Sequence, residues 1–98
     1  MRFAFVGRVI EWRGPSPYYY VDVPASVSAD IAELSAAVSY GWGAIPVEAH
    51  IGGAAFHTSL FPKDGRYLLP LKDAVRKRHG IALDDQVTVE MDLRSARA

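Results

Sequence analysis

The stretch that decides the fold is Tyr67-Leu68-Leu69-Pro70-Leu71-Lys72-Asp73-Ala74-Val75-Arg76-Lys77-Arg78-His79-Gly80-Ile81-Ala82-Leu83-Asp84-Asp85-Gln86-Val87-Thr88-Val89-Glu90-Met91-Asp92. It reads as a strand, a short helix, a glycine stop, a tight turn and a second strand. Tyr67 to Leu71 is continuously apolar, which suits a strand buried on both faces. Pro70 cannot donate to a ladder, so it is expected at the strand's end. The spacing predicts a helix over Lys72–His79, with Leu71, Ala74, Val75 and the Arg78 stem as its inner stripe. Asp73 near its start and Arg76 to His79 near its end complement the helix dipole. Gly80 is placed for the left-handed residue that stops a helix. Asp84-Asp85 is a turn, because Asp tolerates a positive φ and bonds its own backbone. Val87, Val89 and Met91 then alternate with Gln86, Thr88, Glu90 and Asp92, as in a half-buried strand.

Upstream, Gly52-Gly53 is a two-residue hairpin signal between Ala44–Ile51 and Ala54–Pro62. That turn sets Ile51 opposite Ala54, Ala49 opposite Phe56, Val47 opposite Thr58 and Ile45 opposite Leu60. All eight then share one largely apolar face, so the register is self-consistent. Lys63 to Arg66 is the next turn.

Arg2 to Arg13 is a long strand with Phe3, Phe5 and Val9 on one face and Ala4, Val6, Ile10 and Trp12 on the other. Apolar residues on both faces imply a closed barrel or a covered sheet. Gly7 is the place for a bend. Gly14-Pro15-Ser16-Pro17 is a turn by composition, and Tyr18 to Val23 is the returning strand. Pro24 stops it. Val27, Ile31, Leu34 and Val38 fall on one helical face, with Ser26 or Ser28 as the cap and Tyr40-Gly41-Trp42-Gly43 as the stop. The two halves echo each other as strand, strand, helix, strand. The expected core is Phe5, Val9, Val21, Ile31, Leu34, Val47, Phe56, Leu60, Leu69, Val75, Ile81, Val87 and Val89. The fold class that follows is mainly β: a closed barrel of six or seven strands with two short helices, Ser26–Val38 and Lys72–His79.

The chain has 98 residues, half of them hydrophobic, enough for one domain with one modest core. We expect a single barrel domain over residues 1–98. Lys and Arg number 11 and so do Asp and Glu, a formal balance of zero that disfavours a free-standing nucleic-acid binder. There is no Cys, which excludes a disulfide, a thiol nucleophile and a Cys-based zinc site. No apolar run approaches the ~20 residues of a membrane helix, and the opening residues lack the form of a signal peptide. The expected compartment is the cytoplasm.

The hairpin register puts Glu48, His50, His57 and Ser59 on the face opposite the apolar one, with Glu48 across from His57. Two His and a carboxylate can hold a divalent metal. A solvated face with one cross-strand ion pair is the preferred reading, since such a trio on one hairpin arises easily by chance. No cofactor and no metal is expected; Glu48, His50 and His57 are the residues that would carry one. Trp12, Tyr18, Tyr20, Tyr40 and Trp42 are many aromatics for so short a chain and serve either core packing or a pocket. Lys63, Arg66, Lys72 and the Arg76-Lys77-Arg78-His79 run form either an anion patch or helix-end complementation. Ser59 and His57, at i and i+2, are too far apart to act as nucleophile and base, and no elbow motif surrounds the serine.

The order Leu69-Pro70, Val75-Arg76, Gly80-Ile81 and Asp85-x-Val87 resembles one half of a swapped-hairpin barrel of the AbrB/MazE type. Here the proline lies farther from the arginine, and Asp84 stands where that pattern has Gly. Together with Val21-Asp22-Val23-Pro24, Gly41-Trp42-Gly43 to Pro46-Val47, and Ile51-Gly52-Gly53 with Phe56-x-Thr58-Ser59-Leu60, the chain resembles the uncharacterised bacterial family called domain of unknown function 1905, over about residues 3–93. The resemblance implies a small barrel of the double-split kind and no established activity. It also makes Arg76 the basic residue with a fixed partner, for which Asp85 is the expected carboxylate.

The expected function is a binding module for a partner protein or a small ligand, without catalysis, acting as monomer or homodimer. Its binding candidates are Tyr18, Tyr20, Trp42, Arg66, Arg76 and Lys77. The alternatives are an AbrB-like DNA-binding or antitoxin-type regulator, which rests on fold analogy alone, and a metal-dependent enzyme using the Glu48, His50 and His57 face.

Overall fold

The computed structural model describes residues 2–12, 18–38 and 44–94, and the side chains among them except at 35–38. The expected Gly14–Pro17 turn, the Tyr40–Gly43 helix stop and Trp42 lie outside the described residues. The elements, in chain order, are β1 (Arg2–Trp12), β2 (Tyr18–Asp22), α1 (Ala25–Val38), β3 (Ile45–Ile51), β4 (Ala54–Lys63), β5 (Arg66–Leu71), α2 (Asp73–Arg78) and β6 (Gln86–Leu93). Six strands close into an antiparallel barrel in the order β1-β2-β5-β4-β3-β6. No helix among the described residues is long and apolar enough to cross a membrane.

Two long strands turn the corners of this barrel. β1 pairs with β6 over Arg2–Arg8 and with β2 over Val9–Trp12. β4 pairs with β3 over Ala54–Leu60 and with β5 over Phe61–Lys63. One sheet is therefore β1-β6-β3-β4 and the other β1-β2-β5-β4, with both corner strands shared. Exchanging β1 with β4, β2 with β5 and β3 with β6 reproduces every pairing, so the strand-strand-helix-strand echo in the sequence is a pseudo-twofold arrangement. Gly7 sits at the β1 corner, just before the strand changes partners. It is buried, and the Asp22 carbonyl and the Val21 side chain occupy the space a Cβ would need.

The hairpin register matches the expected one at every pair, from Ile45–Leu60 to Ile51–Ala54. All the expected core residues are buried except Leu34, which is half-buried. Val23, Ile45, Ala49, Ile51, Tyr67, Leu71 and Met91 join them. Tyr67, Leu68, Leu69 and Leu71 are all buried, as the unbroken apolar run required; Pro70 is the penultimate residue of β5, opposite Tyr20. β1 belongs to a closed barrel, the first of the two arrangements expected for it. Its second apolar face is open, with Val6 and Trp12 exposed, because barrel closure needs only the inward row.

Ser28 is not a helix cap. It is buried, its hydroxyl donates to the Val23 carbonyl at 3.2 Å and accepts from the Tyr67 amide at 3.2 Å. It thus ties α1 to the end of β2 and the start of β5. In α2 only Val75 is buried; Ala74 and Arg78 are exposed, because a six-residue helix presents a single position to the barrel. Gly80 takes φ 62° and its amide reaches the Lys77 carbonyl, and the Ile81 amide donates to the Arg76 carbonyl at 2.9 Å, which ends the helix as expected. Asp84 takes φ 70°.

The expected Arg76–Asp85 pair does not form. Asp85 accepts the Ala82 amide at 2.8 Å with its own carboxylate. The turn backbone docks on β1 instead: the Asp84 amide donates to Val9 and the Val9 amide to Asp85, at 2.9 and 2.8 Å. Arg76 lies over the Tyr19 ring, 4.0 Å from its centroid, with Asp73 3.8 Å away. Lysine lacks the planar group that stacks on a ring. Arg76→Lys is therefore expected to cost about 1 kcal/mol, while exposed Lys77→Ala stays within about 0.5 kcal/mol of the parent. Denaturant melts of the two variants check this, and equal midpoints would remove the stacking role.

Candidate functional site

Strand alternation assigns the outer face of the second sheet. Val9, Val21 and Leu69 point into the core, so Ile10, Trp12, Tyr20, Asp22 and Leu68 face outward. Register sets Ile10 opposite Tyr20 and Asp22 opposite Leu68. These residues, with Lys63 from the end of β4, Asp64 from the β4–β5 turn and Arg66 from β5, line an open groove of about 530 Å³. A volume of this size falls in the range of small-molecule sites.

The polar groups of the groove are partly held. The Lys63 ammonium sits 3.2 Å from the centroid of the Trp12 ring. Arg66 donates to the Val23 carbonyl from Nε and Nη2, at 3.3 and 3.0 Å, and lies 3.4 Å from the Asp22 carboxylate. Its guanidinium thus braces the end of β2. Burial, with the neighbouring Tyr18 phenol as a smaller influence, pushes the Tyr20 hydroxyl above its ordinary range, so it stays a neutral donor. Tyr18 is exposed at the margin, with its ring 6.1 Å from that of Tyr20.

Of the expected binding residues, Tyr20 and Arg66 line this groove and Tyr18 borders it. Arg76 and Lys77 lie on α2, apart from it. Trp12 and Lys63, the pair that shapes one wall, had no place together in the sequence, since the ends of β1 and β4 are about fifty residues apart.

A second polar cluster covers the outer face of the first sheet. Glu48 is opposite His57 on β4, as expected, and opposite Asp92 on β6. Its carboxylate meets His57 Nε2 at 2.9 Å with one oxygen and His50 Nε2 at 3.2 Å with the other. Hydrogen bonds from His57 and then His50 hold the Glu48 carboxyl below its ordinary range. Arg2 donates to both oxygens of Asp92, at 2.8 and 3.3 Å, and to Glu90 at 3.0 Å. Its bonds lower the Asp92 carboxyl in the same way. Arg94 donates to His57 Nδ1 at 3.0 Å.

A family model described as "Domain of unknown function (DUF1905)" matches residues 5–91. The chain belongs to that family. No curated protein matches it. The domain of unknown function 1905 is here a closed six-stranded barrel whose match runs from the core residue Phe5 to the core residue Met91. The groove falls within those bounds, as do Glu48, His50, His57 and Glu90 of the polar cluster, while Arg2, Asp92 and Arg94 lie just outside them.

Proposed function

We propose that this DUF1905 barrel is a binding module and not an enzyme, and that its ligand site is the groove beside Trp12 and Tyr20. The observation that supports the reading is the Lys63 ammonium resting on the Trp12 face, in a groove that also carries Glu11, Asp22 and Asp64. An aromatic face next to carboxylates attracts cations on apolar stems. The ligand class is a small organic cation, or a basic side chain of a partner protein, that takes the place of Lys63 over the ring. The even charge of the chain weighs against a DNA-binding regulator, whose affinity comes largely from phosphate contacts.

The test is an amide and indole NMR titration with a panel of alkylammonium and guanidinium compounds. Shifts are expected at the Trp12 indole and at Tyr20. Trp12→Ala, at an exposed position, is expected to keep the fold and weaken binding by about tenfold, equivalent to ~1.4 kcal/mol. Binding that ignores Trp12→Ala, or cations that perturb no groove residue, would overturn the proposal.

A further inference from the structure

Two adjacent strands bring metal-ligating side chains to one point on the first sheet, on the wall that the groove does not use. β3 supplies Glu48 and His50, two residues apart on one face, and β6 supplies Asp92 directly opposite Glu48. One ligating atom from each of Glu48, His50 and Asp92 lies within 4.8 Å of the others. We propose that Glu48, His50 and Asp92 form a site for a divalent transition-metal ion such as Zn²⁺, with water completing the coordination.

The distances support a site that needs little rearrangement. Zinc bonds to nitrogen and oxygen are about 2.0–2.2 Å long, which sets tetrahedral ligands about 3.4 Å apart. His50 Nε2 and Glu48 Oε1 already stand at 3.2 Å. One imidazole and two carboxylates is a borderline set that suits Zn²⁺ better than Ca²⁺ or Mg²⁺. All three side chains are partly exposed, at 33% to 40%, so an ion has access from solvent.

Two neighbouring arginines set the details. Arg2 holds both oxygens of Asp92 and competes with an ion for them. It can yield, because Glu90 offers it a second carboxylate at 3.0 Å. Arg94 donates to His57 Nδ1, which leaves the His57 proton on Nε2, pointed at Glu48. A ligating nitrogen must be bare; His50 Nε2 also faces Glu48, but Arg94 fixes the tautomer of His57 alone, so His50 can carry its proton on Nδ1 and present Nε2 to the ion. His57 therefore orients Glu48 and does not join the metal. Of the three residues the sequence offers for a metal, Glu48 and His50 are kept, and Asp92 takes the place of His57.

The experiment uses the full chain without an affinity tag. Zn²⁺ is titrated in competition with a chromophoric chelator, and Co²⁺ is titrated with its visible absorption recorded. The parent is expected to bind one ion and to give a d–d band. His50→Ala and Asp92→Asn are each expected to weaken binding by about tenfold or more. Arg2→Gln is expected to tighten it, a gain that a merely structural role for Arg2 would not produce. His57→Ala is expected to stay within about twofold. Circular-dichroism melts establish that each variant is folded. Absence of saturable uptake by the folded parent, undiminished binding by His50→Ala, or a loss in Arg2→Gln would each overturn the site.

Discussion

Gly7→Ala is expected to lower the unfolding free energy by about 1–3 kcal/mol or more, the usual cost of forcing atoms into filled space. The cause is steric and not conformational, because the position does not carry a positive φ. A Cβ on Gly7 would lie 2.6 Å from the Asp22 carbonyl oxygen and 2.6 Å from Val21 Cγ1. The first of these is backbone, so it cannot rotate away. Relief requires β1 and β2 to part at the corner where β1 changes from β6 to β2. For a chain of this size, each 1 kcal/mol moves the melting temperature by roughly 4–8 °C. Gly53→Ala is the control, since a Cβ there meets nothing within 4 Å. A Gly7→Ala protein that melts with the parent would mean that the corner is not closed as described.

Phe56→Ala is expected to cost about 3–5 kcal/mol, the usual range for removing a buried aromatic ring. Phe56 is 8% exposed and faces Ala49, too small to fill the space the ring would leave. Its neighbour His57, on the outward face of the same strand, is the internal contrast. A one-residue slip of β4 would exchange the two positions. His57→Ala is therefore expected to change the denaturation midpoint little, and Phe56→Ala to change it strongly. Equal effects would break the hairpin register.

The features legible in the sequence were those set by near neighbours along the chain. Gly52-Gly53 fixed the β3–β4 register because a two-residue turn leaves no slack. Gly80 and Asp84 announced their positive φ values because few other residues accept them. What escaped was set by strands far apart in sequence. Asp92 joins Glu48 and His50 only because β6 pairs with β3, and no local pattern encodes that choice. Trp12 meets Lys63 only because β2 and β5 close the second sheet between them. Arg76 and Asp85 were near enough to suggest a pair, yet closer claims prevailed: the Ala82 amide took the Asp85 carboxylate, and the Tyr19 ring took the guanidinium. The choice between a closed barrel and a covered sheet stayed open at β1 because one strand's composition cannot tell a covered face from a bare one.

The shared corner strands also bear on how the chain acquires its structure. During synthesis β1 emerges first, yet its partner over Arg2–Arg8 is β6, the last strand to appear. The first half, β1 through β3, holds two strands whose principal partners belong to the second half. It can form the β1–β2 hairpin and α1 but not a closed wall. Its apolar rows must wait, exposed, until β4, β5 and β6 are made. Pairings that span most of a chain are the slow ones. Barrel closure is therefore a late event that commits both halves together, and a nascent half-chain is the species on which a chaperone would act.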